Sequence, residues 1–144
     1  MRSIVGAIIV LLVLMPAAFA QTSIRVTADI PFDFYVANTL YQKGTYEMTQ
    51  PNAFGPIMVT PKGNRAAPMY AIAMSAIPKA GVAEKTAVVF NKYDSTHHFL
   101  RNIWVAGEQR GVQLLESRTE RDFNAPKLVT ANRAETVTVL AQLR

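Results

Sequence analysis

The sequence predicts a mostly β fold: an antiparallel β-sandwich, with a small β-barrel as the alternative, and one short late helix, all after a cleaved signal peptide. Three observations lead there. Short runs of alternating polar and apolar residues recur from Ile24 to Leu143, the period-2 mark of strands with one face in a core. Proline- and glycine-rich turns such as Pro51 to Pro56 and Pro61 to Asn64 punctuate them. The helix signal comes late, at Ser117 to Glu120. About six strands at this spacing fit a sandwich or a barrel. Their short, irregular lengths and long loops favour the sandwich over an up-and-down barrel.

The first twenty residues read as a secretory signal. Arg2 precedes an apolar run from Ile4 to Leu14, Pro16 breaks it, and Ala18-Phe19-Ala20 is an A-x-A cleavage site. The run is short for a membrane span, which takes about 20 residues. The expectation is an exported protein, periplasmic or extracellular, with no membrane span after cleavage and a single β-rich domain over 21–144. Of 144 residues, 124 remain after cleavage, enough for one domain with a real core. The chain has no cysteine, so disulfides, thiol chemistry and a lipid anchor through cysteine are excluded. No twin-arginine pair is present, so export of the unfolded chain is the simpler route. Loss of Arg2 takes the net charge from +5 to +4. The basic residues are scattered and form no stripe for nucleic acid.

The elements follow in order. Ile24, Val26, Ala28 and Ile30 alternate with Ser23, Arg25, Thr27 and Asp29. Pro31 interrupts, because it has no N–H for a ladder. Phe32, Phe34 and Val36 keep the even-numbered apolar register, which predicts one long strand kinked at Pro31. Ala37-Asn38-Thr39 is a turn, with Asn the residue that tolerates the left-handed region. Leu40 opens a short return strand, and Thr45 to Met48 carry it on after a second turn at Lys43-Gly44. Strands follow at Ile57 to Thr60 and Met69 to Ile77, the latter with Tyr70, Ile72 and Met74 on one face and alanines on the other. Thr86 to Lys92 is apolar on both faces, as in a central strand. A tight turn at Tyr93 to Thr96 makes it a hairpin with His97 to Gly107. There alternation places Leu100, Asn102 and Trp104 on one face and Phe99, Arg101, Ile103 and Val105 on the other. Val112 to Leu115 is a short edge strand. Ser117-Arg118-Thr119-Glu120 has the form of a capping box, with Ser capping the helix and Glu reaching back, and Pro126 blocks its continuation. Lys127 to Asn132 is a further helical turn or a loop. Val137, Val139, Ala141 and Leu143 share one face of a closing strand.

Three of these stretches also carry a resemblance. Ile30-Pro31-Phe32-Asp33-Phe34, followed by Gly44-Thr45-Tyr46-Glu47 and later by Ser117-Arg118-Thr119-Glu120-Arg121, resembles small exported bacterial proteins with an IPFxF…GxYxV opening and a downstream SRxER stretch. The chain departs from that pattern at Tyr41-Gln42-Lys43, where the resemblance implies a Leu-Pro-Ala-like turn. The resemblance implies a compact exported domain and transfers no active site.

Chemistry is sparse. Asp94, His97 and His98 have metal-ligand side chains, but neighbouring strand residues point to opposite faces and no third ligand stands at a recognisable spacing. No serine sits in a nucleophile elbow. Asp33 and Glu47 are the nearest approach to an acid/base pair, with a solvent-facing pair the ordinary reading. No Gly-rich phosphate loop is present, and no cofactor is expected. Arg118, Glu120, Arg121 and Asp122 make a charge-dense helix. Its sharper reading is a structural clamp in which Arg118 or Arg121 pairs with a strand carboxylate such as Asp33. Trp104, Tyr93, Phe99 and Tyr70 are the candidate ligand-binding residues, as an aromatic platform for a sugar ring, set against core packing as the ordinary role of strand aromatics.

The resulting expectation is a non-enzymatic structural or interaction module of the cell envelope or exterior, with an envelope protein or a polysaccharide as partner. The alternatives are a small-ligand or carbohydrate-binding domain with a pocket between sheet and helix, and a hydrolase with a dispersed acid/base pair.

Overall fold

Alternation lays Val26, Ala28 and Ile30 on one face of β1 (Ile24–Ile30), each no more than 1% exposed. The structure, a computed structural model, describes residues 23–52, 55–63, 67–75, 81–124 and 134–144. The segment read as a signal peptide, 1–20, lies outside the described residues, as do the last two residues of the expected strand, 76–77, and the segment read as helical turn or loop at 127–132.

β1 pairs antiparallel along its whole length with β4 (Gly44–Gln50), Ile24 opposite Gln50 and Ile30 opposite Gly44. Pro31 ends that ladder. The next strand, β2 (Phe34–Val36), still turns Phe34 and Val36 inward. Its hydrogen bonds, however, go elsewhere: to β3 (Thr39–Tyr41) in a hairpin and, in parallel, to β9 (His98–Trp104) at Tyr35 opposite Phe99. The expected long kinked strand is therefore a corner. The inward register runs through it while the partner strand changes. In the β2–β3 turn the left-handed residue is Ala37, at φ 54°, rather than Asn38.

β5 (Ile57–Pro61) lies on β4, and β6 (Met69–Ala71) on β5. One residue, Ile72, separates β6 from β7 (Ala73–Ser75), which pairs with β10 (Val112–Leu114). β10 returns to β9. On the other side β9 pairs with β8 (Ala87–Lys92), β8 with β11 (Glu135–Leu143), and β11 with β1. Strand pairing thus runs β9-β8-β11-β1-β4-β5-β6, crosses the covalent step at Ile72, and comes back through β7 and β10. Ala71 and Ala73 point inward on either side of that step while Ile72 is 71% exposed. The small inward side chains let the chain turn tightly there.

The fold is mostly β with one short late helix, α1 (Arg118–Asn124), among the described residues. The sheet is strongly curled and half-barrel-like. Between the two architectures left open by the sequence, this continuous ladder goes with the small barrel rather than with two facing sheets. Among the described residues there are eleven strands rather than the expected six or so; corners at Pro31, Gln42-Lys43 and Ile72 each divide a stretch that alternation alone reads as continuous. The interior is filled by side chains from all round the curl, among them Phe34, Met48, Ile57, Phe90 and Ile103, each fully buried. Phe90 meets Phe34 edge-on at 5.4 Å, and Phe34 meets Tyr46 edge-on at 4.9 Å, the aromatic geometry that aligns ring edges with ring faces.

β9 departs from simple alternation. Val89 faces Asn102 and Phe90 faces Leu100, so Arg101 is an extra residue in β9. Such a bulge shifts every later side chain to the opposite face. Leu100 points inward before it, and Ile103 and Val105 point inward after it. The expected face of Leu100, Asn102 and Trp104 is thereby split. The Arg101 guanidinium ties the bulge down, with Nη1 donating to the Leu114 carbonyl at 2.9 Å and Nη2 4.0 Å from Glu116 Oε1.

Candidate functional site

The bulge decides what the outer face of β8, β9 and β11 displays. Asn91 pairs with Phe99 at one end and Ala87 with Trp104 at the other, with Thr136, Thr138 and Leu140 of β11 alongside. The two ends have different fates.

The Phe99 end is covered by α1. Ser117 Oγ accepts from the Glu120 N–H at 3.0 Å, so the helix is capped as expected. The Glu120 side chain turns into the sheet instead. It is 2% exposed, and its Oε1 accepts from Asn91 Nδ2 at 2.9 Å and from the Tyr93 hydroxyl at 3.0 Å. Burial, and next the Glu120 carboxylate, push the Tyr93 phenol well above its ordinary pKa. Phe123 lies 4.2 Å from the His97 ring and 5.9 Å from Tyr93. Asn38 reaches across from the β2–β3 turn, its Oδ1 accepting from the Thr119 N–H at 3.2 Å and hydroxyl at 3.1 Å.

This replaces the expected clamp. Arg118 is exposed, with Nε 3.9 Å from Asp122 Oδ2, and Arg121 is exposed too. Asp33 sits at the Pro31 corner, where its Oδ1 accepts from the Lys43 N–H at 2.8 Å. The helix is anchored by a carboxylate meeting neutral donors. The guanidinium groups stay in water, where no desolvation opposes them. Glu47 is likewise on the outer face, 3.9 Å from Arg25 Nε and 3.7 Å from Lys62 Nζ, so Asp33 and Glu47 each have other partners.

The Trp104 end is open. Its floor is Ala87, Val89, Trp104, Thr136, Thr138 and Leu140, and its wall is the segment 82–85; together they enclose a groove of about 660 Å³. The wall is fixed. Ala83 is buried, its N–H donates to the Glu108 carbonyl at 3.0 Å, and its carbonyl accepts from the Gly107 N–H at 2.9 Å. Thr86 Oγ1 accepts from the Ala106 N–H at 3.1 Å. Trp104 is half-buried and backed by Gly111. A Cβ at Gly111 would lie 2.7 Å from Trp104 Cε3 and 2.5 Å from the Ile103 carbonyl oxygen, so only glycine lets the chain pass there. Val82 and Leu140 remain 50% and 63% exposed. The arrangement is a rigid indole beside two hydroxyls, with the Glu84 carboxylate and Lys85 ammonium on the wall.

Comparison with protein-family models, with curated proteins and with solved structures finds no match to this chain.

The four aromatic candidates are not one platform. Phe99 and Tyr93 belong to the packing beneath α1, with rings 5.6 Å apart. Tyr70 is 65% exposed on β6. Trp104 alone of the four lines the groove. Sequence reasoning missed Gly111, Thr136 and Thr138. The two threonines were legible, because inward Val137 and Val139 turn them outward. So was Leu140, an apolar residue on the polar side of its strand.

A second, smaller cleft of about 320 Å³ opens where three turns meet, lined by Phe32, Asp33, Lys43, Ser95, Thr96 and His98. His98 is 6% exposed and stacks on Phe32 at 4.1 Å. Burial, then the Lys92 charge, lowers its pKa. Its Nδ1 is buried without a hydrogen-bond partner, which suits a neutral ring. His97 Nδ1 lies 2.9 Å from both Asp94 oxygens. The Thr96 N–H, and next the His97 side chain, hold the Asp94 carboxyl well below its ordinary pKa. This is a self-contained turn, and among the described residues no group of three or more His, Cys, Asp or Glu is placed to hold a metal ion.

Proposed function

We propose that this protein is an exported, non-catalytic binding domain of the cell envelope or exterior, and that it binds through the Trp104 groove. The observation that carries the reading is the braced indole in an open groove outside a filled interior. A large half-buried side chain held rigid by its neighbours contributes contact area at little cost in conformational freedom. The groove volume of about 660 Å³ lies within the usual range for ligand sites. Export rests on the layout of residues 1–20.

Two measurements test it. Expressed in a bacterial host, the protein is recovered from the periplasm or medium beginning at Gln21; recovery from the cytoplasm with Met1 or Arg2 first would remove the export half. Immobilised on beads, the processed protein retains a component of envelope extract, and Trp104→Ala releases it while Tyr70→Ala does not. Equal retention by the Trp104 variant would remove the groove from the account.

A further inference from the structure

We infer that the groove takes pyranose rings of a polysaccharide, one ring lying on the free part of the Trp104 indole. This names the ligand class for the binding site proposed above and rests on that reading. A sugar ring has one face of C–H groups and a perimeter of hydroxyls. The groove matches both. Trp104, with Ala87 and Val89 beside it, offers a flat apolar floor on which small side chains leave room. Thr136 and Thr138 both project outward from β11, so their hydroxyls stand one strand repeat apart, about 7 Å. Each hydroxyl both donates and accepts, as sugar hydroxyls require. Across the floor, Glu84 accepts and Lys85 donates.

Other occupants fit less well. An acyl chain would leave Thr136, Thr138, Glu84 and Lys85 without partners, and unmet polar groups oppose burial. A nucleic acid needs a phosphate-neutralising stripe, whereas the groove wall carries one charge of each sign. The groove is open to solvent and, at about 660 Å³, has room for more than one ring of a linked chain. The wall's backbone bonds to the 105–108 turn hold it in place before any ligand arrives, so little ordering opposes binding.

The test uses the protein's own probe, because Trp104 is the sole tryptophan of the chain. Processed full-length protein is titrated with hexasaccharides of β-1,4-glucose, β-1,4-N-acetylglucosamine and α-1,4-glucose while tryptophan emission is recorded, with calorimetry in parallel. At least one hexasaccharide shifts the emission to shorter wavelength and saturates. Thr138→Val weakens that binding by roughly tenfold. Trp104→Ala abolishes it, Trp104→Phe retains it within a few-fold, and Tyr70→Ala leaves it unchanged. Circular dichroism establishes that each variant is folded. If no sugar moves the emission but envelope extract is still retained through Trp104, the sugar class is overturned and the binding reading stands. If sugars bind Trp104→Ala as well as the parent, the inference is overturned. If neither sugar nor extract responds to Trp104, both readings fall.

Discussion

The hairpin of β8 and β9 places two aromatic residues on the same outer surface, and the protein treats them oppositely. Phe99 is closed over by α1, with Tyr93, Phe123 and the buried Glu120 carboxylate packed around it. Trp104, at the other end of β9, is braced by Gly111 from one side and left open on the other. Both are large and apolar, so burial tendency does not separate them. What separates them is the neighbouring chain. The turn after β10 leads directly into a capped helix over Phe99. The segment before β8 is bonded to the 105–108 turn and stands beside Trp104 rather than over it. The contrast teaches that one surface can supply both packed core and open groove, depending on which loop folds back.

That contrast is open to attack by mutation. Phe99→Ala has the largest expected effect, a loss of about 4 kcal/mol in urea unfolding, as for other buried Phe truncations. Trp104→Ala loses less than half as much; equal losses would make Trp104 a core residue and dissolve the distinction. Glu120→Ala removes the acceptor shared by the Asn91 amide and Tyr93 hydroxyl and costs about 2 to 3 kcal/mol. Glu120→Gln restores an acceptor and recovers part of it, so identical melting curves for parent and Glu120→Ala would show that the carboxylate does not hold the helix. Gly111→Ala drives a Cβ against the Ile103 carbonyl and the indole, costing about 2 kcal/mol and shifting tryptophan emission. An unshifted spectrum would mean that glycine does not set the ring.

The smallest expected effect is with pH. Burial, then the Lys92 charge, lowers the His98 pKa below the ordinary 6.5 in the fold. As pH falls through about 6.5 the unfolded chain takes up a proton that the folded chain does not. This contribution to stability therefore declines as pH falls below about 6.5 and is fully present above it. His98→Gln flattens this part of the curve, as read from urea midpoints; an unchanged slope would assign it to other groups.

Much of this was legible in the residues, and the failures are instructive. The inward set Val26, Ala28, Ile30, Phe34 and Val36 follows from parity alone, because a period of 2 survives a change of partner strand. The helix start at Ser117 follows from its cap. β9 misled the same reasoning because parity cannot detect an inserted residue. Its signal was present: Phe99-Leu100, Arg101-Asn102 and Ile103-Trp104 run two apolar, two polar, two apolar, an alternation with one residue too many. The clamp was misassigned because residue types show charge but not direction. The arginines were the conspicuous members, while the one side chain able to enter the sheet and be satisfied by neutral donors was Glu120. Trp104 was singled out as a candidate, but its neighbours in the groove were not, since Gly111 and the 82–85 wall reach it through tertiary folding.

β11 follows every other described element in the chain, yet it lies between β8 and β1, with six residue pairs to the one and three to the other. Until that stave is delivered, both neighbours present raw edges and the hoop has a gap on its flank. Long-range closure of this kind is slow to form. A polypeptide whose keystone comes so late cannot complete its ladder until its final strand is in place.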